Sequence, residues 1–581
     1  MCGAGCIGLG LLSLPGCTWS MARIDREIDA VLAERNQQLG EFVRTPPRSK
    51  LAAETADASD DPRRGDTRAP TTNNPAPDDL EFTPADPARD VASRLDAYLL
   101  EDQADPSDPE VLRIDLPTAL AIGQDSAREF LTAQENYIVA AIQLLIQRRL
   151  FEPRLFNTTS ATFSGDGTDG RFTAALAVVN ELGVRRRFQN GSEITASWLV
   201  QATEDLREGV TDRYTSASTL ALSGRFPLLR GAGIAARESL IQAERNLIYA
   251  ARTFERFRRS FLVQIASNYF TLIQARAGID NQIRRIDALK ALEDETDAKI
   301  GAGILRDFQR AIASSDRLEA EAALAEQRDS YRLLEDRFKV RLGLPVDAPI
   351  LIVPVTLELP DPDIALDEAV ERAIDFRLDL QTTRDRVLDA RRGVSIARNA
   401  VLPDLNIDAR LDLPTNEQLD EGNLNFAPDD LSYSAGITLD LPLDRVIERL
   451  NLRDAVIDVE QALRGYELSR DNVAVDARAS VRQVELARFQ LLLSERQVEI
   501  NLRRQRGQDL DPENVTTQER VDTQNALLSA ENARDQALAD LRISILEYLL
   551  TTGQLRVAPD GTLAPIGGLL IGPDGPAEAA D

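Results

Sequence analysis

Leu222-Ser223-Gly224-Arg225-Phe226-Pro227-Leu228-Leu229-Arg230-Gly231 is the stretch around which the chain is organised. Ahead of it, Leu220 and Leu222 fall on one face of an alternating pattern and Thr219 and Ser223 on the other, as in a β-strand. Behind it runs a helical pattern of roughly 70 residues without proline. The same order returns at Ile437-Thr438-Leu439-Asp440-Leu441-Pro442-Leu443, again ahead of a long proline-free helical run. Pro227 and Pro442 mark strand-to-helix junctions, because proline lacks the N–H that a ladder needs and holds φ near a helical value. The chain therefore reads as two copies of one unit.

Each copy has the same parts in order. The first opens at Leu116-Pro117-Thr118-Ala119-Leu120 and the second at Leu366-Asp367-Glu368-Ala369-Val370, each leading a helix of roughly 30 residues. Pro153 and Pro403 then precede strand-like sequence. The second copy carries one hairpin, about 404–413 and 432–443. The first is longer: Gly165–Gly170 and Gln189-Asn190-Gly191 are turn signals that bracket alternating runs at Phe172–Leu182 and Glu193–Val200, which leaves room for an additional hairpin.

The helices after each proline form the main mass. Phe254, Phe257, Phe261, Ile265, Tyr269 and Leu272 follow a spacing of three and four. Val484, Leu491 and Val498 are seven apart, with Ala487, Ser494 and Asn501 three after each, and Leu538, Leu541, Ile545 and Tyr548 continue on a return helix. These are coiled-coil seams. A run of about 65 residues at about 1.5 Å each reaches roughly 100 Å, a rod for which a globular domain has no use. Each rod is expected to break at glycine, at Gly301-Ala302-Gly303 and at Gly507, and to return as a helix of about 40 residues.

The totals narrow the function. The chain has 581 residues and a net charge of −28, which argues against a nucleic-acid partner. It has no histidine, so the commonest general base and metal ligand are missing. Its three cysteines, Cys2, Cys6 and Cys17, all lie at the extreme N-terminus. The reading is of a protein that is not an enzyme and holds no cofactor or metal. Acids such as Asp102, Asp105 and Asp108 sit in a polar linker and serve to solubilise it.

The ends have their own logic. Residues 1–17 are small and apolar, too short to span a bilayer, and end Leu14-Pro15-Gly16-Cys17, which resembles a bacterial lipobox with Cys17 as the lipidated residue. Residues 18–44 contain a short charged helix with Ile24, Ile28, Val31 and Leu32 on one side. Residues 45–110 read as a disordered Pro- and Asp-rich linker, 111–358 as the first repeat, 359–557 as the second and 558–581 as a flexible tail.

Taken together, the two Leu-x-x-Ala-[Leu/Val] openings, Phe226–Gly231, Arg377-Leu378-Asp379-Leu380, Leu402-Pro403-Asp404-Leu405 and the glycine-bearing tips resemble the TolC family of outer-membrane efflux proteins over about residues 112–557. The resemblance implies a mainly α fold with a β-barrel part. Long coiled-coil hairpins would build a periplasmic tunnel, and β-hairpins from three copies would share one outer-membrane barrel. It implies a passive exit duct in the bacterial outer membrane, set in lipid, that takes substrates from an inner-membrane pump and a periplasmic adaptor in efflux or type I secretion. The alternative is a structural coiled-coil lipoprotein that spans the periplasm without conducting. Open strand edges cannot exist in hydrocarbon, so the strands of one chain need copies to close them. Two hairpins per chain would give a barrel of about twelve strands. By the same resemblance the adaptor meets the tips, at Gly301, Gly303, Ile304, Leu305, Asp307 and Gly507. Asp509, Asp511 and Glu513 from three copies would ring the periplasmic mouth and favour cations.

Overall fold

The computed structural model describes residues 21–39, 111–168, 171–205, 214–354, 365–415, 426–510, 515–557 and 563–565. Cys17, the linker, most of the tail, Asp511 and Glu513 lie outside them. The order is α1 (Met21–Leu39), β1 (Leu112–Ile114), α2 (Leu116–Ser126), α3 (Arg128–Arg149), β2 (Arg154–Thr168), β3 (Arg171–Arg187), β4 (Glu193–Asp205), β5 (Tyr214–Pro227), α4 (Glu238–Gly301) and α5 (Phe308–Leu342). β6 (Ile350–Ile352) ends the first copy, and the second follows as α6 (Leu366–Phe376), α7 (Leu378–Ala400), β7 (Asp404–Pro414), β8 (Ser432–Asp440), α8 (Val446–Leu510), α9 (Thr517–Thr551), β9 (Leu555–Val557) and β10 (Leu563–Pro565). By its contacts the chain divides into two compact units: Met1–Asn136, Phe254–Leu378 and Asn472–Asp581 form the first, Tyr137–Thr253 and Asp379–Asp471 the second.

The first unit is helical. Its core follows the predicted spacing: Phe254, Phe261, Ile265, Tyr269 and Leu272 on α4 are buried, and Phe130 packs on Phe254 and Phe261 at centroid distances of 5.7 and 5.8 Å. Further along, Ile279, Ile286, Leu289 and Leu292 of α4 pack with Ala320 and Leu324 of α5 and Val521 of α9. On α8, Val484, Ala487, Ser494, Val498 and Asn501 are buried, and Asn501 Nδ2 donates to the Ala526 carbonyl on α9 at 3.0 Å. Leu491 is half-buried in this seam, whereas Leu538, expected to continue it, is exposed. β1 pairs in parallel with β6, which ties the start of the first repeat to its end.

The opening helices are not continuous rods of 30 residues. Each breaks once, at Ala127 between α2 and α3 and at Arg377 between α6 and α7, where the backbone turns extended at ψ 126° and 119°. Neither break has a proline or glycine. Its partner lies far away in sequence. Gly343, which ends α5 at φ +79°, faces the Ser126 carbonyl, and a Cβ there would sit 2.2 Å from that oxygen; Gly553, at φ +71°, faces the Phe376 carbonyl in the same way, at 2.9 Å. The two repeats thus share a joint: a glycine in the left-handed region lets the chain close against the last carbonyl of the short first helix.

The second unit holds an antiparallel six-stranded sheet in the order β2-β3-β4-β5-β7-β8. The predicted hairpin of the second repeat is β7–β8. The first repeat carries two hairpins, with Gln189-Asn190-Gly191 in the turn between β3 and β4. The additional hairpin for which the first repeat leaves room is therefore present, and the chain carries three rather than the two that a twelve-strand barrel would need. The prolines end ladders but do not start helices. Pro227 is the last residue of β5 and α4 begins at Glu238; Pro442 follows β8 and α8 begins at Val446. Helices α4 and α7 are joined here by ion pairs. Arg392 of α7 donates to Glu238 of α4 at 2.8 Å and Arg252 of α4 to Asp385 of α7 at 2.7 Å, and the Tyr249 hydroxyl of α4 adds a hydrogen bond to Asp389.

Candidate functional site: an amphipathic sheet and two turns

Strand register sorts every sheet side chain to one of two faces. One row runs Leu155–Val184–Ala196–Leu222–Leu411–Tyr433 across all six strands, each residue directly opposite the next. The row beyond it runs Asn157–Leu182–Trp198–Leu220–Leu413. This face also carries Phe163, Val178, Ile407, Ile437 and Leu439. It is apolar and bare: Tyr433 is 83% exposed, Ile437 74%, Leu155 and Phe163 64%. Its polar residues satisfy one another, Asn180 Nδ2 donating to Asn157 Oδ1 at 2.9 Å and to Thr159 Oγ1 at 2.6 Å.

The opposite face is polar. It carries Thr158, Ser160, Glu181, Arg185, Thr195, Ser223, Arg225, Asp408, Arg410, Asp412, Ser434 and Thr438. Its charges are paired across strands and along them. Arg225 Nε donates to Asp408 Oδ1 at 2.8 Å, Arg410 Nε to Asp412 Oδ2 at 2.6 Å, and Arg185 Nε lies 3.3 Å from Glu193 Oε1. A water-soluble sheet buries its apolar face against a core. Here the apolar face is the open one, and the polar, charged face is its reverse, as in a barrel that meets lipid outside and water inside. Among the described residues no helix is long and apolar enough to cross a membrane.

The other candidate residues lie at two helix reversals in the first unit. α4 ends at Gly301; Gly303 has φ +74°, and the Ile304 N–H bonds the Lys299 carbonyl at 2.9 Å, the six-to-one bond of a Schellman turn. The apolar residue at that position usually folds back on the helix, but Ile304 is 71% exposed. Leu305 is half-buried and Asp307 exposed. The second reversal is not at Gly507. α8 runs through that glycine to Leu510, since a helical glycine costs only about 1 kcal/mol against alanine. Asp509 is exposed on its last turn. α9 then starts with a capping box: Glu519 N–H donates to Thr516 Oγ1 at 3.2 Å, and the Thr516 N–H to Glu519 Oε2 at 2.9 Å. The two reversals are neighbours. Arg520 of α9 donates to Glu295 of α4 at 2.6 Å, and Thr517 Oγ1 lies 3.5 Å from Gln309 Oε1 of α5.

No family model matches the chain, and no curated protein matches it. Solved structures do. The outer-membrane channel OprN aligns at a TM-score of 0.57 and 16% identity, over 77% of this chain and 90% of its own. The CmeC outer-membrane channel of Campylobacter jejuni aligns at 0.54 and 14% identity, over 75% and 85%. The open state of the MtrE outer-membrane channel of Neisseria gonorrhoeae aligns at 0.54 and 15%, over 75% and 88%. The chain has the TolC-type fold. Within that fold the long helices are α4, α5, α8 and α9, with α2–α3 and α6–α7 as the two broken pairs, and the six-stranded sheet corresponds to the barrel part of the fold.

Sequence reasoning missed two functional features. The exposed stripe Val475, Leu486, Phe489, Leu493 and Ile500 on α8 went unread, although Leu486, Leu493 and Ile500 are spaced by seven. The additional hairpin of the first repeat was half-legible: its turns and alternating runs are written in the sequence, but which strands pair is not.

Proposed function

We propose that this chain is one of three copies of an outer-membrane exit duct that conducts substrates passively, without chemistry of its own. One observation carries the reading: a sheet with a bare apolar face, a polar charged face and an open edge at each end, joined to long helices. A non-conducting scaffold has no use for such a sheet. The bare α8 stripe supports a multi-copy assembly, since apolar residues spaced by seven on a helix need a facing helix. The structural neighbours are outer-membrane channels, among them one captured in an open state, and this supports an outer-membrane location. The test is reconstitution in planar bilayers. Discrete conductance steps from a species of three cross-linked chains are expected; a clean monomer or a silent bilayer overturns the reading.

Partners follow from the same proposal. The turns at Gly303, Ile304 and Leu305 meet a periplasmic adaptor fed by an inner-membrane pump, because Ile304 is a bare apolar residue on a rigid turn. Gly301, Asp307 and Gly507 flank that contact. Asp509, Asp511 and Glu513 ring the mouth, and their triple amide variant is expected to lose cation selectivity. Cys17 carries the lipid that tethers the chain, and the mass of the mature N-terminus decides it.

A further inference from the structure

The strand count changes the size of the pore. On the duct reading above, we propose that the barrel closes with eighteen strands, six from each of three copies, by antiparallel pairing of β8 with β2 of the next copy. The proposed register sets Arg154 opposite Asp440 of the partner subunit.

Three observations converge on it. First, β2 and β8 are the two ends of the six-strand order, and each has a single partner strand among the described residues. β2 leaves the helix side of the sheet and β8 returns to it, so β8 of one copy is antiparallel to β2 of the next. Open edges must be removed in hydrocarbon.

Second, the amphipathic pattern runs through all six strands with no change of face. Had β2–β3 been an appendage outside the barrel, its lipid-side residues would not continue the row Ala196–Leu222–Leu411–Tyr433. They do, at Val184 and Leu155.

Third, the strands are already sheared as a barrel requires. Along that row, Leu155 lies one residue from the helix-side end of β2, Val184 and Ala196 three from theirs, Leu222 five, and Leu411 and Tyr433 seven. The row climbs by six residues within a copy. If the next β2 starts flush with the end of β8, the climb stays six per six strands. At about 3.3 Å per residue and about 4.8 Å per strand, this is a tilt of about 35°, at the lower edge of the barrel range.

The flush register also matches the side chains. It places Leu155 against Leu439 and Ala161 against Tyr433 of the partner subunit on the lipid side. On the water side Thr158 meets Gly436, and Arg154 meets Asp440, an opposite-charge pair. A shift by one residue would put each apolar row against a polar one. With the same spacing and tilt, eighteen strands give a backbone radius of about 17 Å, against about 11 Å for twelve. The outer part of the duct is then as wide as a large porin, and any constriction lies elsewhere along the conduit.

Cysteine pairs test the seam, with Cys2, Cys6 and Cys17 left in place and single variants as controls. Tyr433→Cys with Ala161→Cys is expected to give a ladder of two and three linked chains on oxidation, reversed by reductant. Tyr433→Cys with Val200→Cys reports instead a twelve-strand barrel in which β8 meets β4. A ladder from that second pair in protein that still conducts overturns the proposal and leaves the duct reading intact. Conductance without a ladder from the first pair does the same. Loss of both conductance and trimers in the unmodified chain sinks the two together. A charge swap guards against misfolded cysteine variants: Arg154→Asp is expected to lower the temperature at which the trimer dissociates, and adding Asp440→Arg to restore it. No restoration counts against the register.

Discussion

Leu222, near the end of the last sheet strand of the first repeat, lies directly opposite Leu411 in the first sheet strand of the second. The two repeats therefore meet as neighbours in one sheet, and their shared side is the bare apolar one. Leu222 is 47% exposed and Leu411 39%. If that side faces acyl chains, Leu222→Arg costs about 2–4 kcal/mol, with the larger value at mid-depth. Unfolding of the vesicle-inserted protein by denaturant checks it. Thr219→Arg, on the opposite face, is expected to leave folding nearly unchanged and to move ion selectivity toward anions.

Two glycines with similar φ separate strain from close approach. Gly303 has open space where a Cβ would go, and Gly343 has the Ser126 carbonyl at 2.2 Å. Gly303→Ala is expected to cost about 1 kcal/mol for its left-handed backbone alone. Gly343→Ala adds a steric clash with backbone, for about 2–4 kcal/mol in all. Equal midpoints for the two variants in chemical unfolding would contradict the joint described between α5 and α2.

Glu255 is the carboxylate of a buried basic cluster. Arg258 is fully buried, with its Nε 3.1 Å from Glu255 Oε2 and its Nη2 donating to the Val557 carbonyl at 2.8 Å; Arg259 Nε donates to Glu255 Oε1 at 2.8 Å. Close by, burial, helped by the charge of Arg259, pulls the Arg556 guanidinium down to about 10. Glu255→Gln leaves Arg258 buried without this countercharge and is expected to cost about 3–5 kcal/mol. A loss under 1 kcal/mol in equilibrium unfolding would mean that the cluster is reached by water.

The capping box gives the second reversal a pH dependence. The Thr516 backbone N–H, followed by its hydroxyl, holds the Glu519 carboxyl below its ordinary value of 4.5. A carboxyl lowered in the folded state adds stability that is complete above the unfolded value and is lost as pH falls through the folded one. Amide hydrogen exchange at the start of α9 is expected to quicken, relative to the rest of that helix, as pH drops below about 4.5. Glu519→Gln should exchange faster at neutral pH and show no such step.

The sequence by itself determined the repeat, the order of strands and long helices within it, and the hairpin at 404–440. Those features are written in local periods of two and 3.6 residues, and a proline interrupts them at any distance from the core. It also determined the core spacing on α4, since Phe254, Phe261 and Ile265 needed only a stripe to be recognised. Only the tertiary structure decided the breaks at Ala127 and Arg377. Nothing in either residue opposes a helix, and each break is placed by a glycine more than 170 residues away that closes on a carbonyl. Gly507 shows the reverse: a residue that suggests a turn stays in α8 because the price of a helical glycine is small beside the packing of the flanking turns. The apolar face that the sheet leaves bare, and the six-residue climb from β2 to β8, were likewise beyond the sequence. Alternation within one strand does not say how far it slides against the next, and register is a property of pairs.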